Sequence, residues 1–125
     1  MKSKYLKGKG EVDYDYKYDT LFFKTANREY AQSIEADNII LDVDKKGFIV
    51  GMQILEASKF LNASKLGLLK VAQWKYRAKV HEGKIEIRLV FNIVIRNKIV
   101  EKNPIIMQPT NQSLPNSELV CTATA

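Results

Sequence analysis

Cysteine occurs once in 125 residues, at Cys121, so no disulfide can form within the chain. That excludes a secreted scaffold built on disulfides and favours a reducing, cytoplasmic setting. Histidine also occurs once, at His81, and a lone histidine makes no zinc site without distant carboxylate partners. Pairing His81 with Cys121 as base and nucleophile would require the C-terminal segment to fold back. His81 instead reads as an exposed turn residue beside Glu82. Long apolar runs are missing too. None approaches the ~20 residues that a membrane helix needs, and the basic segment from Met1 to Gly10 is not followed by the apolar stretch of a secretory leader. The Gly8-Lys9-Gly10 triplet lacks the Gly-Lys-Ser/Thr ending and the following helix of a phosphate loop.

What the chain does have is charge, unevenly placed. The net charge is +6; residues 1–58 carry 9 Lys/Arg against 10 Asp/Glu, and residues 59–125 carry 11 against 4. The second half is therefore the candidate surface for an anionic partner.

Apolar periodicity gives mostly strands. Val12 and Tyr14 alternate with Asp13 and Asp15, and a turn at 16–19 leads to a returning strand at Thr20–Lys24. Residues 26–37 are polar and aperiodic and read as a loop. Asn38–Asp44 and Phe48–Leu55 form a hairpin about Lys45-Lys46-Gly47, where glycine supplies the positive φ of a tight turn. A short helix begins near Glu56. Further on, Trp74, Tyr76, Ala78 and Val80 share one strand parity while Lys75, Arg77, Lys79 and His81 share the other. After a Glu82-Gly83 turn, apolar residues hold period 2 from Ile85 to Ile95, with Arg88 opposite them. A turn at Arg96-Asn97-Lys98 sends the chain back, and Pro104 marks an edge or a bulge in the last strand.

These segments predict a single α+β domain over residues 1–109, mostly antiparallel: two strands, a hairpin, a short helix, then a three-stranded meander. Residues 110–125, rich in Pro, Asn, Ser and Thr, read as a flexible tail.

Tyr14-Asp15, Asp19 with Leu21 and Phe23, and the run Ile40-Leu41-Asp42-Val43-Asp44-Lys45-Lys46-Gly47-Phe48-Ile49-Val50-Gly51-Met52-Gln53-Ile54-Leu55-Glu56-Ala57-Ser58 carry a resemblance. They resemble the uncharacterised proteins grouped as domain of unknown function 2283 over about residues 12–61, with Gln53 where that family usually has an acid. The resemblance implies a small β-rich fold with a helix after Ala57-Ser58. It brings no activity; the family's association with small toxin-like proteins suggests an antitoxin-like companion.

The candidate sites are two. Asp15, Asp19, Asp42 and Asp44 form a candidate protein-contact edge. Asp turn and cap roles are the simpler account of these residues, since their spacing matches no calcium loop. Lys75, Arg77, Lys79 and Arg88 form a cationic strand face for an anionic partner. No catalytic residue, metal or cofactor is assigned. The expected function is a non-enzymatic protein-interaction module with a small protein partner and no membrane association. Nucleic-acid binding through the cationic face is the alternative. Val90, Val94 and Ile105-Ile106-Met107, apolar on the wrong face, predict a homodimer through the meander.

Overall fold

The computed structural model describes residues 4–110 and 113–124. The strands are β1 (Lys4–Asp15), β2 (Thr20–Thr25), β3 (Tyr30–Ala36), β4 (Ile39–Asp44), β5 (Ile49–Ile54), β6 (Gln73–His81), β7 (Lys84–Ile95), β8 (Lys98–Lys102), β9 (Ile105–Pro109) and β10 (Ser117–Thr124). Two short helices, α1 (Ala57–Phe60) and α2 (Lys65–Leu69), lie between β5 and β6. All ten strands share one sheet in the order β3-β4-β5-β2-β1-β10-β6-β7-β8, and β9 pairs with the part of β7 that β8 leaves open. Only the β1–β10 pair is parallel, so the sheet is mixed.

The expected α+β architecture with a separate meander is therefore corrected to one mixed, nearly all-β sheet. Residues 30–36, read as loop, form the edge strand β3. Strand β8 and β9 flank Pro104, whose carbonyl accepts the Leu89 amide at 3.1 Å. The largest departure is the segment read as a flexible tail. Its residues 117–124 form β10, between β1 and β6 in the middle of the sheet; residues 111, 112 and 125 lie outside the described part.

Strand β10 lacks the usual hydrophobic signature for a physical reason. Its inward side chains are Ser117, Leu119, Cys121 and Ala123, all buried. Across the ladder, Ala123 faces Trp74 and Cys121 faces Tyr76. Small residues on the central strand leave the volume that large rings on β6 fill.

The sheet curls at β1. Residues 4–11 of β1 pair with β10, whereas only residues 10–15 pair with β2. Gly10 sits where the partner changes. A Cβ there would lie 2.4 Å from the Lys24 carbonyl oxygen and 2.9 Å from Cys121 Sγ, so nothing larger than glycine fits. In a flat sheet β2 and β6 would stand three strand spacings apart, ~14 Å. Instead the Phe23 ring lies 5.4 Å from Trp74 and 5.5 Å from Tyr76, and the Thr25 hydroxyl hydrogen-bonds the Tyr76 hydroxyl. The two halves thus enclose one core. Within the first half, β3, β4 and β5 follow as hairpins, and β2 lies beside β5, which is a Greek-key arrangement.

Because β10 is a central strand, a chain ending at residue 113 is expected to lose its cooperative unfolding transition. Leu119→Ala, at a fully buried position, is expected to cost about 2–5 kcal/mol. Urea unfolding followed by circular dichroism checks both. Wild-type midpoints for these variants would restore the tail description.

Candidate functional site

The acidic residues divide between two places. Leu21 pairs with Ile54, which also pairs with Ile39, while Val43 pairs with Ile49 at the other end of the same strands. Asp15 and Asp19 lie beyond Leu21, and Asp42 and Asp44 lie toward the far end. The single acidic contact edge expected from sequence is corrected accordingly: the four carboxylates are at opposite ends of the first half.

Each end has an internal task. Glu56, which precedes α1, takes a left-handed conformation (φ 50°) and gives no side-chain cap. The cap comes from Asp19, itself at φ 54°. Its carboxylate accepts the Ser58 amide at 3.0 Å, the Ser58 hydroxyl at 2.6 Å and the Tyr14 hydroxyl at 2.5 Å, while its carbonyl accepts the Ala57 amide at 2.9 Å. Burial alone would raise the Asp19 pKa. Hydrogen bonds from the Ser58 hydroxyl, the Tyr14 hydroxyl and the Ser58 amide, with the Lys65 charge, outweigh it and hold the carboxyl below its ordinary 3.8. The Tyr14 hydroxyl moves up, through burial first and then its bond to Asp19. Asp15 accepts the Tyr18 amide at 3.1 Å within the same turn.

At the other end, Asp44 is buried and accepts the Lys46 and Phe48 amides at 2.9 and 3.0 Å, closing the β4–β5 turn with Gly47 at φ 88°. Its second oxygen pairs with Arg28 at 2.7 Å, and that guanidinium stacks 5.3 Å over Phe48. Asp42 accepts the Ser33 hydroxyl at 3.3 Å. For Asp15, Asp19 and Asp44 these are the turn and cap roles that the sequence offered as the simpler account, whereas Asp42 bonds across the β3–β4 ladder. Among the described residues no three His, Cys, Asp or Glu side chains gather as a set able to hold a metal ion. His81 is exposed at the end of β6, and Cys121 is buried beneath the sheet. Burial pushes its thiol pKa up, against the hydrogen bonds from Thr25 and Tyr76.

The cationic residues, by contrast, do come together. Arg77 stands directly opposite Arg88, Lys79 opposite Glu86, and Lys75 opposite Val90, all on the outward face. The parallel pairing of β1 extends this face in a way the sequence concealed. Lys7 aligns with Val120 and thence Arg77, Lys9 with Thr122 and thence Lys75, and Tyr5 with Glu118 and thence Lys79. Alternation in β1 was hard to see because two of its inward positions are Gly8 and Gly10. Two acids temper the face: Glu118 accepts Arg77 at 2.5 Å, and Glu86 lies 3.8 Å from Arg88. Lys7, Lys9, Lys75 and Lys79 have no ion pair among the described residues. Next to this face a cavity of about 700 Å³ is lined by Lys7, Lys9, Asn27, Arg28 and Thr122, with no acid in its wall.

The Asp19 clasp makes a pH-resolved prediction. A folded-state pKa below the unfolded value contributes stability above the unfolded pKa and loses it as pH falls through the folded one. Asp19→Asn is therefore expected to lower the urea midpoint at pH 7, by an amount typical of a lost helix cap, ~1 kcal/mol. As pH falls below the ordinary carboxylate value of 3.8, through the lower folded-state pKa, the gap to wild type should narrow. An equal gap at pH 7 and at the acid end would show that ionisation of Asp19 does not matter.

Comparison with known proteins gives relatives that match most of the chain. A Methanosarcina mazei protein named "Putative hypoxanthine phosphoribosyltransferase" is 35% identical over 92 residues, 74% of this chain and 75% of that protein. An uncharacterized protein of Methanocaldococcus jannaschii is 28% identical over 113 residues, covering 90% of this chain and 97% of its own length. No solved structure matches the chain. Residues 11–58, which run from the second half of β1 to the Ser58 clasp, match the model of the family described as protein of unknown function (DUF2283), and the chain belongs to that family.

Proposed function

We propose that this chain is a non-catalytic binding module that takes an acidic protein partner on the outward face of β1, β10, β6 and β7. The observation that supports this most is register. Lys7 and Lys9 on β1, Lys75, Arg77 and Lys79 on β6 and Arg88 on β7 fall in register on one face across β10, with Glu118 and Glu86 interleaved among them. Of the acidic residues considered as a contact edge, Asp15, Asp19 and Asp44 are already committed to turns and caps, so they support the reading less. The name of the methanosarcinal relative adds no transferase reading to this one. Here Gly8-Lys9-Gly10 lies within β1 instead of at a turn onto a helix, and the helices span four and five residues. Among the described residues that leaves no helix N-terminus of the kind that cradles a phosphate.

A second reading rests on Tyr5, which is 61% exposed in the same row as Lys79. An exposed ring among cations is the composition of a single-strand nucleic-acid platform. A second copy of the chain is also part of the proposal. Val94 and Ile99 face each other across β7 and β8 and are 60% and 76% exposed, and Ile105 and Met107 continue the apolar edge.

Recovery of partners from the native host, with and without nuclease, separates the two readings. A protein that survives nuclease and is lost with Lys75→Ala/Arg77→Ala/Lys79→Ala is expected. Exposed charge pairs contribute ~0.2–1 kcal/mol each, so the triple variant should weaken binding about ten-fold. Recovery of nucleic acid alone would transfer the face to the second reading. For self-association, light scattering at micromolar concentration should give twice the chain mass, falling to one chain mass in Val94→Glu/Ile99→Glu. A monomeric wild type would remove the dimer.

A further inference from the structure

We infer that β1 accepts an added strand: an extended, acidic peptide segment of the partner, laid along the free edge of β1 between Lys4 and Lys9. This rests on the proposal of an acidic protein partner and states how that partner is held.

The edge exists because β1 exchanges neighbours along its length: residues 4–9 pair with β10 alone, residues 10–11 with both strands, and residues 12–15 with β2 alone. Residues 4–11 pair with β10, but β2 covers only residues 10–15 of the opposite edge. The last bond on that side runs from the Ala26 amide to the Lys9 carbonyl, at 2.8 Å. Ladder groups alternate between the two edges of a strand. Those of Tyr5 and Lys7 therefore point the same way as the Lys9 carbonyl, into the space where β2 has ended. No strand among the described residues lies opposite them. The open stretch is the five residues from Lys4 to Gly8, or ~17 Å of strand.

The outer edges of the sheet are defended. Strand β3 carries a register shift between Tyr30 and Gln32, and the β8–β9 edge is broken by Pro104 and closed by Pro109. Bulges and prolines of this kind prevent edge pairing. Between Lys4 and Lys9, β1 has neither, and Gly8 narrows its side-chain wall so that another backbone can approach. A Cβ at Gly8 would meet only Thr25 Cγ2, at 3.2 Å.

Chemistry selects the occupant. The 700 Å³ cavity beside this edge is lined by Lys7, Lys9 and Arg28, with Asn27 and Thr122 as further polar groups and no carboxylate. Arg28 commits one nitrogen to Asp44, and its buried Nε has no hydrogen-bond partner. A second copy of β1 would bring Lys4, Lys7 and Lys9 against themselves, which disfavours self-pairing through this edge. An acidic strand supplies both the ladder partners and the missing counter-charge, the combination used in recognition by strand addition.

The test uses fluorescein-labelled Glu-Val-Glu-Thr-Glu-Val-Glu in two backbone-methylated forms, with alternate amides blocked on one edge or on the other. Strand addition predicts that one form binds at least ten-fold more weakly than the other, because only one edge can bond β1. It also predicts shifts of the Tyr5 and Lys7 amide resonances on titration. Lys7→Pro removes a donor facing the open edge while Leu6 and Gly8 keep their bonds to β10; it should weaken binding at least ten-fold more than Lys7→Gln. If Lys7→Pro fails to fold, the two peptides on wild-type protein still decide. Equal binding of both forms, lost with Lys75→Ala/Arg77→Ala/Lys79→Ala, would overturn strand addition and leave the cationic-face proposal standing. No binding of either form at low salt would overturn both. Tighter binding of a single-stranded oligonucleotide, unaffected by Lys7→Pro, would overturn the peptide in favour of nucleic acid.

Discussion

Strand β1 changes partners part-way along its length, and the rest of the molecule follows from that change. At Gly10 the backbone passes close to Lys24 on one side and Cys121 on the other. This lets the sheet turn over instead of lying flat, so the Phe23 ring reaches Trp74 and Tyr76 across two intervening strands. The closure continues at the far end. Pro115 packs against Gly47, and the Ser117 hydroxyl hydrogen-bonds the Gly47 carbonyl at 3.5 Å. A parallel central pair joins chain ends more than 100 residues apart in sequence. It also leaves half of one edge of β1 without a neighbour, as a geometric consequence of letting β10 and β2 share one strand.

The family segment and the candidate binding surface are different parts of this design. Residues 11–58 contain the Greek-key half and its two clasps, Tyr14–Asp19–Ser58 and Asp44–Phe48. The residues that carry the resemblance are thus explained by backbone capping: Asp19 supplies the cap that Glu56, in its left-handed conformation, cannot give. Lys7, Lys9, Lys75, Arg77, Lys79 and Arg88 all fall outside that segment. Family membership accordingly accounts for how the first half folds, and the nature of the partner has to come from the other residues.

Local pattern made the hairpins legible. The turn at Gly47, the positive-φ pairs Glu82-Gly83 and Arg96-Asn97, and the buried stripe from Ile85 to Ile93 all stand where periodicity and turn chemistry put them. So does the outward set Lys75, Arg77, Lys79 and Arg88. What failed depended on long-range pairing. β3 is exposed at nearly every position, so it has no apolar face to betray it. β10 hides its strand character in Ser, Cys and Ala, because the large volumes lie on β6 opposite. The acids looked like one edge only because sequence does not reveal which end of a strand each occupies.

The cationic face has an internal cost that bears on its role. Arg77 and Arg88 are directly opposed across the ladder, an arrangement that like charges make unfavourable. Glu118 relieves it closely, at 2.5 Å, and Glu86 more loosely, at 3.8 Å. The Arg77 guanidinium is accordingly held in its charged form, first by its hydrogen bond to Glu118 and then by the charge of that carboxylate. No ion pair reaches Lys75, Lys79, Lys7 or Lys9 among the described residues, although Lys79 stands in register between Glu86 and Glu118. A surface kept only for solubility needs its cations dispersed; here they line β1, β6 and β7 on either side of β10, with Glu118 and Glu86 among them and Glu11 next to Lys9 along β1. An acidic partner would lower the repulsion that the fold leaves in place, so its binding energy includes a contribution already stored in the free protein. Next to the open edge of β1, Lys7 stands beside ladder groups of Tyr5 and Lys7 that no described strand pairs.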